Sequence, residues 1–193
     1  MEKQNNHIDR RGFLKIVGIS AATTTAALYG CGSGTKSSQG RNASSPVPTD
    51  QMTYRSVGGI KDKVSLLGYG CMRWPTVPSP EGKGDLINQE AVNELVDYAI
   101  AHGVNYFDTS PVYVQGWSEK ATGIALKRHP REKLYIATKL SNFSNFSREN
   151  SLAMYHQSFK DMQVEYFDYY LLHAMDKAKF EKADRIGAWD FLF

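Results

Sequence analysis

Thiols are almost missing from this chain: Cys31 and Cys71 are the only cysteines in 193 residues. They lie far apart, with neither metal-ligand spacing nor the makings of a disulfide framework. Neither a zinc site nor an iron–sulfur cluster can be built from them alone. A surplus of charge is missing too, once the N-terminus is set aside. The net charge is +3, but residues 1–50 hold Lys3, Arg10, Arg11, Lys15, Lys36 and Arg41 against Glu2, Asp9 and Asp50, so that residues 51–193 carry 17 of each sign. Nucleic acid needs a net cationic face, and a neutral body removes the electrostatic case for it as a partner. A bilayer-spanning run is absent as well. The mildly apolar stretch from Ile16 to Leu28 is interrupted by Thr23, Thr24 and Thr25 and falls short of the about 20 apolar residues a spanning helix wants.

That stretch reads as an address rather than as structure. Asp9-Arg10-Arg11-Gly12-Phe13-Leu14-Lys15 precedes it, and a charged region followed by a short apolar one describes an export signal. The paired arginines resemble the twin-arginine signal, although Asp9 stands where that pattern usually has Ser or Thr. The alternative is an amphipathic N-terminal helix. Leu28-Tyr29-Gly30-Cys31 resembles a lipoprotein processing box, with Cys31 as the lipid-anchored residue, against a signal cleaved elsewhere. Residues 32–50, rich in Gly, Ser and Pro, have the composition of a tether. Fold reasoning therefore starts at Gln51, and a periplasmic or membrane-anchored lipoprotein is the expected location.

From there strand and helix signals alternate. Val64 to Gly70 reads as a short buried strand, followed by a loop holding Pro75, Pro78, Pro80, Gly82 and Gly84. Gln89 to His102 places Val92, Leu95, Val96, Ala99 and Ile100 on one helical face, and His102-Gly103 ends it. Val104 to Phe107 is the next strand. Ser118 to Lys127 is the next helix, with Ser118 as its expected N-cap. Leu134 to Thr138, Ser147 to Met162 and Tyr166 to Leu172 continue the alternation, and a fourth helix begins near Lys177. A repeat of roughly 35 residues suits βα units of a parallel sheet. Thr53 to Val57 and Val64 to Leu66 are expected to pair as a hairpin across Gly58-Gly59. Phe143, Phe146, Tyr155 and Phe159 read as core.

Four polar residues stand at the ends of these strands: Asp108, Tyr113, Lys139 and His173. In a parallel α/β barrel all strand C-termini share one face, where the chemistry is done. Singly, each has an ordinary explanation: a turn cap, a packing ring, a lysine needing a partner, a loop histidine. Together they suit carbonyl reduction. Hydride addition creates an alkoxide that needs a proton at once. A tyrosine can supply it if a nearby ammonium draws its pKa down from about 10. Lys139 is that ammonium, Asp108 its counter-charge, and a neutral His173 orients the carbonyl oxygen.

Leu67-Gly68-Tyr69-Gly70-Cys71-Met72-Arg73, Asn105-Tyr106-Phe107-Asp108-Thr109-Ser110-Pro111-Val112-Tyr113, Gly116-Trp117-Ser118-Glu119, Ala137-Thr138-Lys139 and Leu171-Leu172-His173 together resemble the aldo/keto reductase family. The resemblance is colinear from residue 53 to 193. It implies a (β/α)8 barrel of the TIM type with an N-terminal hairpin plugging one end, and a catalytic set corresponding to Asp108, Tyr113, Lys139 and His173. It implies NADP(H) or NAD(H) as cofactor, with Met72, Arg73 and Asp108 on the nicotinamide side and Trp74 beside them, and a small carbonyl compound as substrate. Residues 51–193 provide about four βα units, where a whole barrel takes about 250 residues. The chain is therefore expected to be a truncated N-terminal half, inactive unless completed, with open sheet edges prone to self-association. A branch of the family with an iron–sulfur segment is also similar, but that segment would lie beyond Phe193. A second expectation, of another class, is a non-catalytic exported lipoprotein that uses the scaffold for binding or assembly, since nicotinamide cofactors are scarce outside the cytoplasm.

Overall fold

The computed structural model describes residues 47–56, 62–82, 84–142 and 146–192. The export signal, Cys31, most of the tether, the Gly58-Gly59 turn and Phe143 lie outside the described residues.

The body is an α/β unit built on a parallel sheet of four strands, β3 (Tyr69–Gly70), β6 (Tyr106–Asp108), β7 (Tyr135–Leu140) and β8 (Tyr169–Leu172), side by side in chain order. Helices α1 (Gln89–Ala101), α2 (Ser118–Leu126) and α3 (Arg148–Met162) connect these strands in turn, and α4 (Lys177–Arg185) follows β8. Each βα step returns the chain to the same end of the sheet, so the loops after all four strands meet there.

The strand period sorts the side chains. Phe107 and Ile136 point into the main core, which also takes Val92, Val96 and Ala99 of α1 and Ala121, Ala125 and Leu126 of α2. Alternation then turns Tyr106, Asp108, Tyr135, Ala137, Lys139, Tyr169 and Leu171 to the face away from the helices. On that face the ring of Tyr169 lies 5.5 Å from Tyr106 and 6.4 Å from Tyr135. A second cluster, Leu140, Phe146, Ala183, Ala188 and Trp189, seats the segment after β8. Tyr155 contacts Phe159, Tyr170 and Phe191, which makes the aromatic residues of α3 packing groups.

Local chemistry fixes the helix ends. Asn88, Ser147 and Asp176 cap α1, α3 and α4, each side chain accepting a backbone N–H three residues on, as the N-cap geometry requires. Ser118 departs from expectation: it is the first helical residue of α2, and Trp117 occupies the cap position without a side-chain bond. Its hydroxyl is instead buried against the loops of the site.

Two other expectations change. The strand expected from Val64 to Gly70 is broken, because Val64–Ser65 (β2) pairs antiparallel with Tyr54–Arg55 (β1) and only Tyr69–Gly70 joins the main sheet. The break falls at Leu66 and Leu67, which are 67% and 63% exposed. Ser65 Oγ donates to Leu67 O (2.8 Å) across the bend. Gly68 then passes so near Tyr106 that a Cβ there would sit 3.0 Å from the ring. The β1–β2 pairing is thus two residues a side, shorter than expected. The Pro- and Gly-rich loop, in turn, holds a ribbon of β4 (Thr76–Pro78) and β5 (Asp85–Ile87). Asn105 ties β2 to the start of β6: its Oδ1 accepts from Ser65 N (2.8 Å) and its own N–H donates to Ser65 Oγ (3.1 Å). The small hairpin therefore lies at the N-terminal end of β6, away from Asp108.

Candidate active site

Asp108 closes β6, and Lys139 lies within β7, one residue beyond the strand end expected from the sequence. Because β6 and β7 are parallel, with Asp108 opposite Ala137, Lys139 stands one pleat further along on the same face. The Lys139 ammonium bonds the Asp108 carboxylate and donates to Thr109 O at 2.7 Å. An amine on a side chain only 11% exposed needs such partners. The same ammonium lies 4.9 Å from the centre of the Tyr113 ring, a cation–π spacing.

Tyr113 opens a short 3-10 turn, Tyr113–Gly116, in which Val114 and Gln115 hold φ of 47° and 55°. A β-branched residue in the left-handed region is uncommon and stores strain; here it bends the chain directly after the tyrosine. Tyr113 Oη lies 3.5 Å from His173 Nε2, with the rings edge to face at 5.4 Å. His173 follows β8 directly, and its backbone N–H bonds Leu140 O at 3.0 Å. Burial and the Lys139 ammonium lower its pKa from the ordinary 6.5, against a smaller opposing pull from Asp108. The imidazole is therefore neutral at pH 7. All four residues expected from the sequence meet at one end of the sheet.

The supporting contacts were not legible in the sequence. Ser110 Oγ and Ser141 Oγ, 2.9 Å apart, approach His173 Nδ1 at 3.2 and 2.7 Å. Ser118 Oγ donates to Cys71 O (2.7 Å) and meets Thr109 Oγ1 at 2.9 Å, while Thr109 N bonds Ala137 O at 2.9 Å. These bonds join the loops after β3, β6 and β7. The one available signal was the strand period, since Ser110 and Ser141 each fall two residues after a catalytic candidate.

Of the expected cofactor residues, Asp108 is committed to Lys139. Met72 and Arg73 follow Cys71, whose N–H bonds Asp108 O at 2.8 Å, and both are exposed at this end. An exposed thioether and a guanidinium suit, in kind, a flat apolar ring and a phosphate. Trp74 does not share that role: it is buried, stacked on Tyr69, and its indole donates to Thr122 Oγ1 at 2.9 Å. Burial pushes the Cys71 thiol up to about 12, so it makes a poor thiolate. Among the described residues no group of three or more His, Cys, Asp or Glu is arranged to hold a metal ion.

The model of the aldo/keto reductase family matches residues 66–189. The chain belongs to the aldo/keto reductase family. It is 33% identical over 122 residues to a probable aldo-keto reductase of Glycine max, covering 59% of this chain and 34% of that one. It is 32% identical over 137 residues to L-galactose dehydrogenase of Arabidopsis thaliana, covering 68% and 40%. Among solved structures it superposes on an aldo-keto reductase of Bacillus halodurans, in its holo form, with a TM-score of 0.59 and 27% identity over 73% of this chain and 46% of that one. The chain thus spans less than half the length of each of these relatives.

Proposed function

We propose that this chain carries the proton-donating site of an NAD(P)H-dependent aldo/keto reductase, which reduces a small carbonyl compound to an alcohol. The observation that carries the reading is the convergence of the Tyr113 hydroxyl and His173 Nε2, 3.5 Å apart, at a ring whose centre lies 4.9 Å from the ammonium of the Lys139–Asp108 pair. A carbonyl oxygen placed against both groups would accept hydrogen bonds from the phenol and from the neutral imidazole. A bound nicotinamide cofactor supplies the hydride to the carbonyl carbon. As charge develops on the oxygen, Tyr113 gives up its proton, and the alcohol leaves with one hydride and one proton added. The phenolate left behind is stabilised by the Lys139 ammonium and regains its proton from water. Asp108 keeps Lys139 beside the ring and balances its charge, a preorganised electrostatic arrangement. Met72 and Arg73 are the residues at this end that would contact the cofactor.

The test is Tyr113→Phe, assayed by NAD(P)H oxidation with an activated aromatic aldehyde and by nucleotide binding. The variant is expected to lose about 10²–10⁴-fold in kcat, the usual share of a general acid, with nucleotide affinity unchanged. An undiminished rate removes Tyr113 from the role. The export signal read at Arg10 and Arg11 favours a second reading, a non-catalytic exported lipoprotein that uses the scaffold for binding or assembly, because nicotinamide cofactors are scarce outside the cytoplasm. That reading predicts no nucleotide binding and no reduction in either protein.

The export reading belongs to the same proposal and rests on Arg10, Arg11 and the run that follows. Replacing both arginines by lysine should leave the protein in the cytoplasm, and Cys31→Ala should abolish lipid labelling. Unchanged fractionation of the double-lysine variant would remove the twin-arginine route.

A further inference from the structure

We infer that Ser110 and Ser141 are positioning residues that hold the proton of His173 on Nε2, the ring nitrogen facing Tyr113. The purpose of that arrangement rests on the reductase reading, but the arrangement itself follows from contacts alone. Histidine tautomers are set by whatever the second nitrogen meets. A carboxylate or carbonyl at Nδ1 would demand a proton there. At His173 two hydroxyls approach Nδ1, Ser141 Oγ at 2.7 Å and Ser110 Oγ at 3.2 Å. Both serines are buried, at 3% and 0% exposure, so water does not settle the direction of their bonds.

A hydroxyl can donate or accept, and the proton count taken with the bond lengths favours one direction. Ser110 Oγ accepts the N–H of Val112 at 3.4 Å and lies 2.9 Å from Ser141 Oγ. If Nδ1 is bare, every group in the chain is used: Val112 N–H to Ser110, Ser110 O–H to Ser141, Ser141 O–H to the ring. Each oxygen then accepts once and donates once. With the proton on Nδ1 instead, Ser141 must accept from the ring and send its own proton elsewhere. Sending it to Ser110 leaves the Ser110 proton facing a nitrogen that already carries one. Sending it to Lys139 O means using a 3.3 Å contact, the poorer bond. The 2.7 Å Ser141–Nδ1 distance is also shorter than the about 2.9–3.0 Å typical of N–H donors. The backbone holds Ser141 in place, its N–H donating to Met154 Sδ at 3.2 Å.

The consequence lies at the other nitrogen. With Nδ1 occupied as an acceptor, Nε2 carries the proton and is a donor towards a carbonyl oxygen at Tyr113. The opposite tautomer would present a lone pair to the lone pairs of that oxygen. Ser110 and Ser141 act only through His173, never on the reacting atoms.

The experiment uses the full chain with histidine ring nitrogens labelled with ¹⁵N, at a pH where imidazole is neutral, about 8. The His173 signals are those lost in His173→Asn; His7, His102, His129 and His156 supply the remainder. The expected spectrum shows an unprotonated, hydrogen-bonded Nδ1 and a protonated Nε2. In Ser141→Ala, and further in the Ser110→Ala, Ser141→Ala double variant, both signals should move towards the average of a tautomer mixture; Ser141→Thr should restore them. A proton on Nδ1 in the unmodified chain overturns the proposal, and this reading needs only the His173→Asn assignment variant to fold. Unmoved signals in the folded alanine variants overturn it too. Because no turnover is measured, a failed reductase reading would leave these signals as they are.

Discussion

Glu119 sits where a carboxylate is least at home. It is 1% exposed, in the first turn of α2, and faces Thr138 of β7, whose hydroxyl bonds one carboxyl oxygen. The other oxygen, Oε2, faces the buried Ser158 hydroxyl of α3, close enough for electrostatic attraction but without hydrogen-bond geometry. Burial raises the carboxyl pKa above the ordinary 4.5, outweighing the lowering by the Thr138 and Ser158 hydroxyls and by Lys139. The sign of the effect follows. A carboxyl with a raised folded pKa contributes stability that is complete below the ordinary value and is lost as pH rises through the folded one. Glutamine keeps the acceptor for Thr138, brings an N–H₂ that Ser158 can accept from, and never ionises. Glu119→Gln should therefore raise the thermal midpoint at neutral pH by about 2–4 °C, for about 1 kcal/mol in a domain of this size. The gain should shrink towards about pH 5, as followed by circular dichroism. A loss that grows with pH would show that the carboxylate is ionised and held by Lys139. The sequence gives no hint of this cluster. Asp108, Tyr113, Lys139 and His173 could be picked out because strand ends are visible in a hydrophobic pattern. Glu119, Ser110 and Ser141 owe their importance to what another element brings within reach of them.

Elements were most legible where periodicity was long and turn chemistry ordinary. The apolar face of α1 and its Gly103 stop and the buried run of β7 carried clear signals. Those signals failed where one segment serves two sheets, as between Val64 and Gly70, and where prolines hide a ribbon, as at Thr76–Pro78. A feature no pattern could show is how closely α2 meets the end of α3. A Cβ built on Gly123 would lie 2.3 Å from Met162 O and 2.7 Å from its carbonyl carbon. Because these atoms are backbone, no rotamer change relieves the clash. Alanine is the better helix former by about 1 kcal/mol, but overpacking typically costs about 1–3 kcal/mol, and contact with rigid backbone belongs at the upper end. Gly123→Ala should therefore lower stability by about 1–2 kcal/mol on balance, seen as an earlier urea midpoint. Gly70→Ala is the control, since nothing lies within 4 Å of its added Cβ. Equal midpoints for the two variants would mean that α2 can slide away from Met162 without cost.

At the scale of the whole molecule, the sheet governs behaviour in solution. In the order β3-β6-β7-β8, the inner strands β6 and β7 are paired on both sides, whereas β3 and β8 are paired on one side only among the described residues. The face turned from the helices is floored by Tyr106, Tyr135 and Tyr169, which are half-buried, and by Leu171, 38% exposed. Unpaired N–H and C=O groups beside such a face form a template for another strand, and an apolar surface of this kind seeks cover. Local charge does little to prevent it: the ion pairs at this end are internal, Lys139 with Asp108 and Lys179 with Asp176. The 193-residue chain should therefore associate with itself through β8, with a sedimenting mass that rises with concentration. Hydrogen exchange locates the contact. The amides of β8 should exchange more slowly in concentrated than in dilute solution, while those of β6 and β7 stay equally slow in both, because their partners lie within the chain. A monomer at every concentration, with β8 amides fast throughout, would mean that this edge is stable in water uncovered, and that the tyrosine floor is enough to keep the open sheet apart from its copies.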